Sequence, residues 1–117
     1  MDSSQIVIPP SFVDLFVEPG RSRPTESHAH IAERHELCED MAQMLTETAR
    51  ERLFELGVAE ADVLDRIHRG LLGEASPVSR AEATWVVCRL AELLDWPLPD
   101  EVAALIPAAT QARARRG

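Results

Sequence analysis

The sequence predicts an all-α protein, a small helical bundle with one long helix and two shorter ones. Apolar residues recur at three- and four-residue steps from about residue 27 to residue 56, which indicates an amphipathic helix. No segment shows the pattern of paired strands. Proline and glycine divide the 117 residues into an N-terminal arm (1–24), a helical domain (25–106) and a disordered tail (107–117).

The arm is rich in proline and contains the stretch PPSFVDLFVEP. We expect Ser11 to cap a short helical turn, with Asp14 three residues later as its capping-box partner. Phe12, Leu15 and Phe16 then share one face of that turn and are the candidate protein-binding residues. This apolar face can pack on the chain's own body, on a second copy in a homodimer, or in a groove of another protein. We favour its own body.

The long helix carries its apolar stripe from Ile31 to Leu56, and Gly57 follows where a left-handed cap is needed. At about 1.5 Å per residue this helix spans about 45 Å, so the two shorter helices cover only its later part. The first three turns therefore need another cover, which is either the arm or a second copy of the chain.

The two shorter helices are predicted over about 60–69 and 79–95. In the second of these, Ser79 is the expected N-cap and Glu82 completes a capping box. This helix is apolar over most of its circumference, which is typical of the buried centre of a small bundle. After it, we expect Asp100 to cap a final turn over 101–106.

Composition excludes several classes of function. All 12 basic residues are arginines, so the chain has neither a P-loop lysine nor a lysine for a Schiff base. The net charge of −8 opposes binding to nucleic acid. No apolar run approaches the roughly 20 residues of a membrane span, and the N-terminus is a poor secretory signal. We therefore expect a cytoplasmic protein that binds neither nucleic acid nor membrane and carries no cofactor.

The stretch ESHAHIAERHELCEDM places three histidines and a cysteine close together on the long helix. A zinc site needs its ligands to converge on one point. However, His30 points about 200° away from His28, and His28 and His35 lie about 10 Å apart along the axis. We expect solvated histidines, Cys38 in the core, and Cys88 likewise reduced. We predict no metal site, no catalytic residues and no enzymatic activity.

Three stretches of the chain, IVIPPSFVDLF, ERHELCEDMAQML and GLLGEASPVSRAEATWVVCRLAELLDW, resemble a group of short, uncharacterised proteobacterial proteins. Some of these carry the label of a chaperone-type ATPase. The resemblance covers about residues 5–96 and implies a chaperone-like or adaptor role. The chain departs from the ATPase label because it has no phosphate-binding loop and no lysine, and no functional residue can be transferred to it.

We therefore expect a non-enzymatic protein–protein interaction module, an adaptor, regulator or chaperone-like protein whose partner is another protein. A helix-turn-helix transcriptional regulator is one alternative, because a long helix, a turn at Gly57 and a short helix have that outline. The short helix is too acidic for a DNA groove, however. The other alternative is a metal-responsive protein that uses the stretch from His28 to Cys38 across a dimer.

Overall fold

The computed structural model describes residues 7–116; residues 1–6 of the arm and residue 117 lie outside the described range. The described residues contain no strand, which confirms the all-α prediction. Nor does this part of the chain contain a helix long and apolar enough to cross a membrane. The helices are α1 (Pro10–Val13, continued by a 3-10 turn over Asp14–Phe16), α2 (His28–Leu56), α3 (Glu60–Leu71), α4 (Arg80–Leu94), α5 (Asp100–Ala103) and α6 (Ala108–Arg116).

The bounds of α2 follow from local chemistry at its two ends. Ser27 is the N-cap, and its hydroxyl accepts a hydrogen bond from the His30 N–H at 3.1 Å. Gly57 lies in the left-handed region with φ 64°, where its N–H donates to the Leu53 carbonyl at 3.1 Å. The predicted long helix and its glycine cap are confirmed.

Helix α4 begins with the predicted capping box. The Ser79 hydroxyl accepts from the Glu82 N–H at 3.1 Å, while a Glu82 carboxylate oxygen accepts from the Ser79 N–H at 2.9 Å. The helix ends at Asp95, which adopts a left-handed conformation with φ 59°. The Trp96 N–H then donates to the Ala91 carbonyl at 3.0 Å, a Schellman-type ending that directs the Trp96 chain segment away from the helix axis.

Two ion pairs join α4 to α2. The Arg34 Nε and Nη2 donate to the two carboxylate oxygens of Glu82 at 2.8 and 2.6 Å, and the Arg89 Nε donates to Glu39 at 2.9 Å. The residue numbers rise together in the two pairs, so the helices run parallel. Burial alone would raise the pKa of Glu82, but hydrogen bonds from Arg34 and Ser79 hold that pKa below its ordinary value.

Two apolar clusters along α4 form the core of the described residues. One lies between the arm, the first half of α2 and the start of α4, and it includes Phe12, Ile31, Cys38, Ala42, Ala83, Trp85 and Val86. The other lies between the second half of α2, α3, the end of α4 and α5, and it includes Ala49, Val63, Leu64, Val87, Leu90 and Val102. The arm therefore supplies the cover that the first turns of α2 required.

The arm begins its helix differently from the prediction. Pro9 is the N-cap residue and Pro10 the first helical residue, where a missing N–H costs nothing because it would have no partner inside the helix. The Ser11 hydroxyl instead accepts a hydrogen bond from the Trp85 indole Nε1 at 3.0 Å. The prediction of Ser11 as an N-cap was wrong, because a tertiary contact uses its hydroxyl.

The C-terminal segment is more regular than the sequence suggested. Asp100 is the first residue of α5 instead of its cap, and that helix ends at Ala103. We expected disorder over 107–117, whereas the structure has α6 over Ala108–Arg116. Alanine, arginine and glutamine favour helix strongly. In addition, Thr110 and Arg113 bind Asp14 of the arm, which gives this short helix a tertiary anchor.

Candidate functional site

The predicted protein-binding residues of the arm pack against the chain's own body. Phe12 is 0% exposed, and its ring centroid lies 5.3 Å from that of His35 and 5.1 Å from that of Trp85, both in edge-on contact. Leu15 and Phe16 are half-buried beside the same cluster. Phe12 therefore presents no surface to a partner, while Leu15 lines a cleft next to the arm.

The histidine stretch lies partly in solvent and partly under the arm. His28 and His30 are exposed, although the ring centroid of His30 is 6.2 Å from that of Phe16. His35 is half-buried between Phe12 and Trp85, so the expectation that it is solvated was wrong. Burial lowers the pKa of His35, and the nearby Glu39 partly opposes this effect. Within residues 7–116, no group of three or more His, Cys, Asp or Glu side chains is arranged to hold a metal ion.

Both thiols are free and protonated at neutral pH. Cys38 is completely buried, as predicted, and burial raises its pKa to about 12. Cys88 is half-buried at the edge of the cleft, and burial raises its pKa to about 11. Because the thiolate is the reactive form of cysteine, neither residue supplies an activated nucleophile at neutral pH.

A cleft of about 1150 Å³ lies between the arm, α4 and the segment that leads into α6. Its lining includes both tryptophans of the chain, Trp85 and Trp96. The other apolar lining residues are Pro9, Leu15, Val17, Ala81, Ala91, Leu98, Leu105, Ile106 and Pro107. We call this feature the tryptophan cleft.

Carboxylates outnumber cationic groups in the lining of the tryptophan cleft. Asp14, Glu39, Glu92 and Asp95 line it together with one arginine, Arg89, and a second guanidinium, that of Arg113, binds Asp14 from outside the lining. The Arg89 guanidinium is already engaged, because it donates to Glu39 at 2.9 Å and to Glu92 at 3.2 Å. Among the side chains that the structure describes, Asp95 has no ion-pair partner. The lining thus combines an apolar surface with an excess of negative charge.

Sequence reasoning did not find the tryptophan cleft, because its walls come from segments far apart in the chain. A usable signal was present nonetheless: Trp96 lies just past a helix end, between an acidic residue and a proline, which is an unusual place for a core residue. A second buried polar contact was also missed. The His68 ring nitrogen Nε2 lies 3.2 Å from the Thr84 hydroxyl, and both residues are buried between α3 and α4.

Comparisons of the chain with protein-family models, with curated proteins and with solved structures find no match. The resemblance to short proteobacterial proteins therefore stays a prediction.

Proposed function

We propose that this protein is a non-enzymatic interaction module that binds a basic, amphipathic helical segment of another protein in the tryptophan cleft. The observation that carries the proposal is the cleft itself, which combines two tryptophans with four carboxylates and one arginine. An adaptor, regulator or chaperone-like role is the broader class to which such binding belongs.

The size and lining of the cleft support a peptide segment as the occupant. Small-molecule pockets commonly have volumes of about 300–1,000 Å³, so the roughly 1150 Å³ here leaves room for several side chains. An amphipathic helix presents its apolar residues at three- and four-residue steps to such a groove. Tryptophans are enriched among the residues that dominate binding energy at interfaces. Trp96 is half-buried and offers an accessible face to those side chains, whereas Trp85 is 8% exposed and contributes to the base of the cleft.

The charges of the cleft support a basic partner. Glu39 and Glu92 both bind Arg89. Asp95 has no counterion among the side chains that the structure describes. A partner arginine or lysine beside Asp95 gains an electrostatic contact without breaking an existing one. The net charge of −8 adds a long-range attraction that accelerates encounter with basic segments.

Tryptophan fluorescence tests this proposal directly, since both tryptophans line the cleft. The probe is a helical peptide of about 15 residues with leucine on one face and arginine on the other. We expect a saturable change in emission that weakens as salt is added. A matched peptide with glutamate in place of arginine should bind far more weakly. Equal binding of the two peptides, or no binding of the arginine peptide, would overturn the proposal.

The contribution of Asp95 is tested by Asp95→Asn, which removes the charge while asparagine still accepts the left-handed backbone of that position. We expect a loss of affinity of about threefold to tenfold, since one exposed contact contributes about 1 kcal/mol. The matched control is Glu55→Gln, which removes one charge from the exposed C-terminal end of α2, outside the cleft lining. Equal losses in the two variants would indicate a general charge effect instead of a site.

A further inference from the structure

Helix α6 forms part of one wall of the tryptophan cleft, and two of its described side chains bind one carboxylate of the arm. The Asp14 Oδ2 accepts hydrogen bonds from the Thr110 hydroxyl at 2.6 Å and from the Arg113 Nη1 at 2.7 Å. The Asp14 Oδ1 accepts a third bond from the Arg113 Nη2 at 3.2 Å, so the arginine binds the carboxylate with both of its terminal nitrogens. Asp14 and Thr110 both line the cleft.

Among the α6 side chains that the structure describes, which extend to residue 113, the other contacts are few. Ala108, Ala109 and Ala112 are exposed, so α6 buries little apolar surface through them. A helix of nine residues is marginal by itself in water, and α6 therefore depends on its contacts for its helical state. The Arg113 side chain is 48% exposed, whereas that of Asp14 is 10% exposed. Asp14, the hydrogen-bond acceptor, is thus largely buried in the folded body, whereas Arg113, the donor, is accessible to solvent.

We infer that α6 is a displaceable strap and that an arginine of the bound segment takes the place of Arg113 on Asp14. This inference rests on the proposed function. It identifies Asp14 as the carboxylate that recognises a partner arginine and α6 as the segment that regulates access to it. Helix α6 shares the positive charge proposed for the partner, since its sequence contains three arginines. A partner guanidinium replaces one bidentate contact with another, so Asp14 keeps a counterion throughout the exchange. Release of α6 opens that wall of the cleft to the incoming segment.

The lowered pKa of Asp14 is consistent with this exchange. Its largest cause is the hydrogen bond from Arg113, which outweighs the opposing effect of burial. The charged form of Asp14 is thus stabilised by a guanidinium, which is the interaction that a partner arginine would restore after α6 leaves. Lysine is the poorer substitute, because a single ammonium group cannot match both carboxylate oxygens in the way a guanidinium does.

The experiment compares two full-length variants with opposite expected effects on the arginine probe. Arg113→Gln releases the strap and leaves the acceptor in place, so the affinity should rise about threefold or more. Asp14→Asn also weakens the strap but removes the acceptor, so the affinity should fall by a similar factor. Arg69→Gln is the matched control, because it breaks an exposed ion pair within α3, away from the cleft. Circular dichroism checks that each variant is folded.

The outcomes separate failure of this inference from failure of the proposed function. If wild type binds the probe but Arg113→Gln binds it no better, the proposed function stands and the strap is refuted. If Asp14→Asn binds better than wild type, α6 is a simple lid and the replacement on Asp14 is refuted. If wild type binds no probe, both proposals fall. Hydrogen exchange gives an independent readout: the amides of α6 should exchange faster in Arg113→Gln, and also in wild type once the probe is bound. Unchanged exchange in both would again refute the strap.

Discussion

Replacing Phe12 by alanine tests whether the arm is an integral part of the folded domain. The side chain is 0% exposed and lies in aromatic contact with Phe16, His35 and Trp85, with ring centroids 5.1–5.5 Å apart. Truncation of a buried phenylalanine costs about 3–5 kcal/mol. A domain of this size has a total stability of about 5–15 kcal/mol, so the loss is a large fraction of the whole.

Urea unfolding followed by circular dichroism measures this loss without depending on the tryptophan next to the mutation. We expect the midpoint to fall sharply and the melting temperature to drop by about 12–20 °C, at about 4 °C per kcal/mol. Phe54→Ala is a matched control, because the same atoms are removed from a side chain that is 90% exposed; its cost should stay below about 0.5 kcal/mol. Similar costs for the two variants would refute the packing of the arm on the body. If Phe12→Ala instead dissociated a dimer, the arm would bridge two chains.

Two further predictions concern the ionisable groups. Glu82→Ala removes a 4% exposed carboxylate that binds Arg34 and closes the α4 capping box, so it should cost about 2–3 kcal/mol in urea unfolding. Glu92→Ala, which breaks an exposed pair, should cost less than about 0.5 kcal/mol, and equal costs would contradict the assigned burial. Burial lowers the pKa of His35 and of His68 in the folded state below the ordinary value of 6.5. As the pH drops through 6.5, the unfolded chain therefore binds more protons than the folded protein, and the free energy of unfolding falls. The melting temperature should fall between about pH 7.5 and about pH 5.5, and it should fall less in His35→Gln than in wild type. The same change of melting temperature with pH in both proteins would contradict the burial of His35.

The parts of the fold that were predicted correctly depend on residues close together in sequence. The glycine cap at Gly57 and the capping box of Ser79 with Glu82 each involve groups within four residues, so their chemistry is visible in the printed sequence. The half-burial of His35 is not visible in the sequence, because it exists only once the arm has packed against the body. Ser11 shows the same limit, since its hydroxyl serves an indole 74 residues away instead of its own helix.

The tryptophan cleft was missed for a related reason. Its walls combine residues of the arm, α4 and the C-terminal segment, and their meeting depends on how the helices pack. The order of α6 was missed because its anchor, Asp14, lies 96 residues before Thr110. Helical periodicity identifies which residues of a helix face inward. A cleft forms where the inward faces of two segments do not meet, and no pattern of neighbouring residues in the sequence indicates that place.

The two ion pairs between α2 and α4 also favour one relative direction of these helices. In one pair the arginine belongs to α2, as Arg34, and in the other it belongs to α4, as Arg89. If α4 were inserted in the reverse direction, Glu82 would approach Glu39 and Arg89 would approach Arg34. Two attractions would thereby become two repulsions at the boundary of the core. The apolar surface of α4 extends around most of its circumference and discriminates poorly between the two directions, so the alternating placement of charge favours the observed bundle over the reversed one.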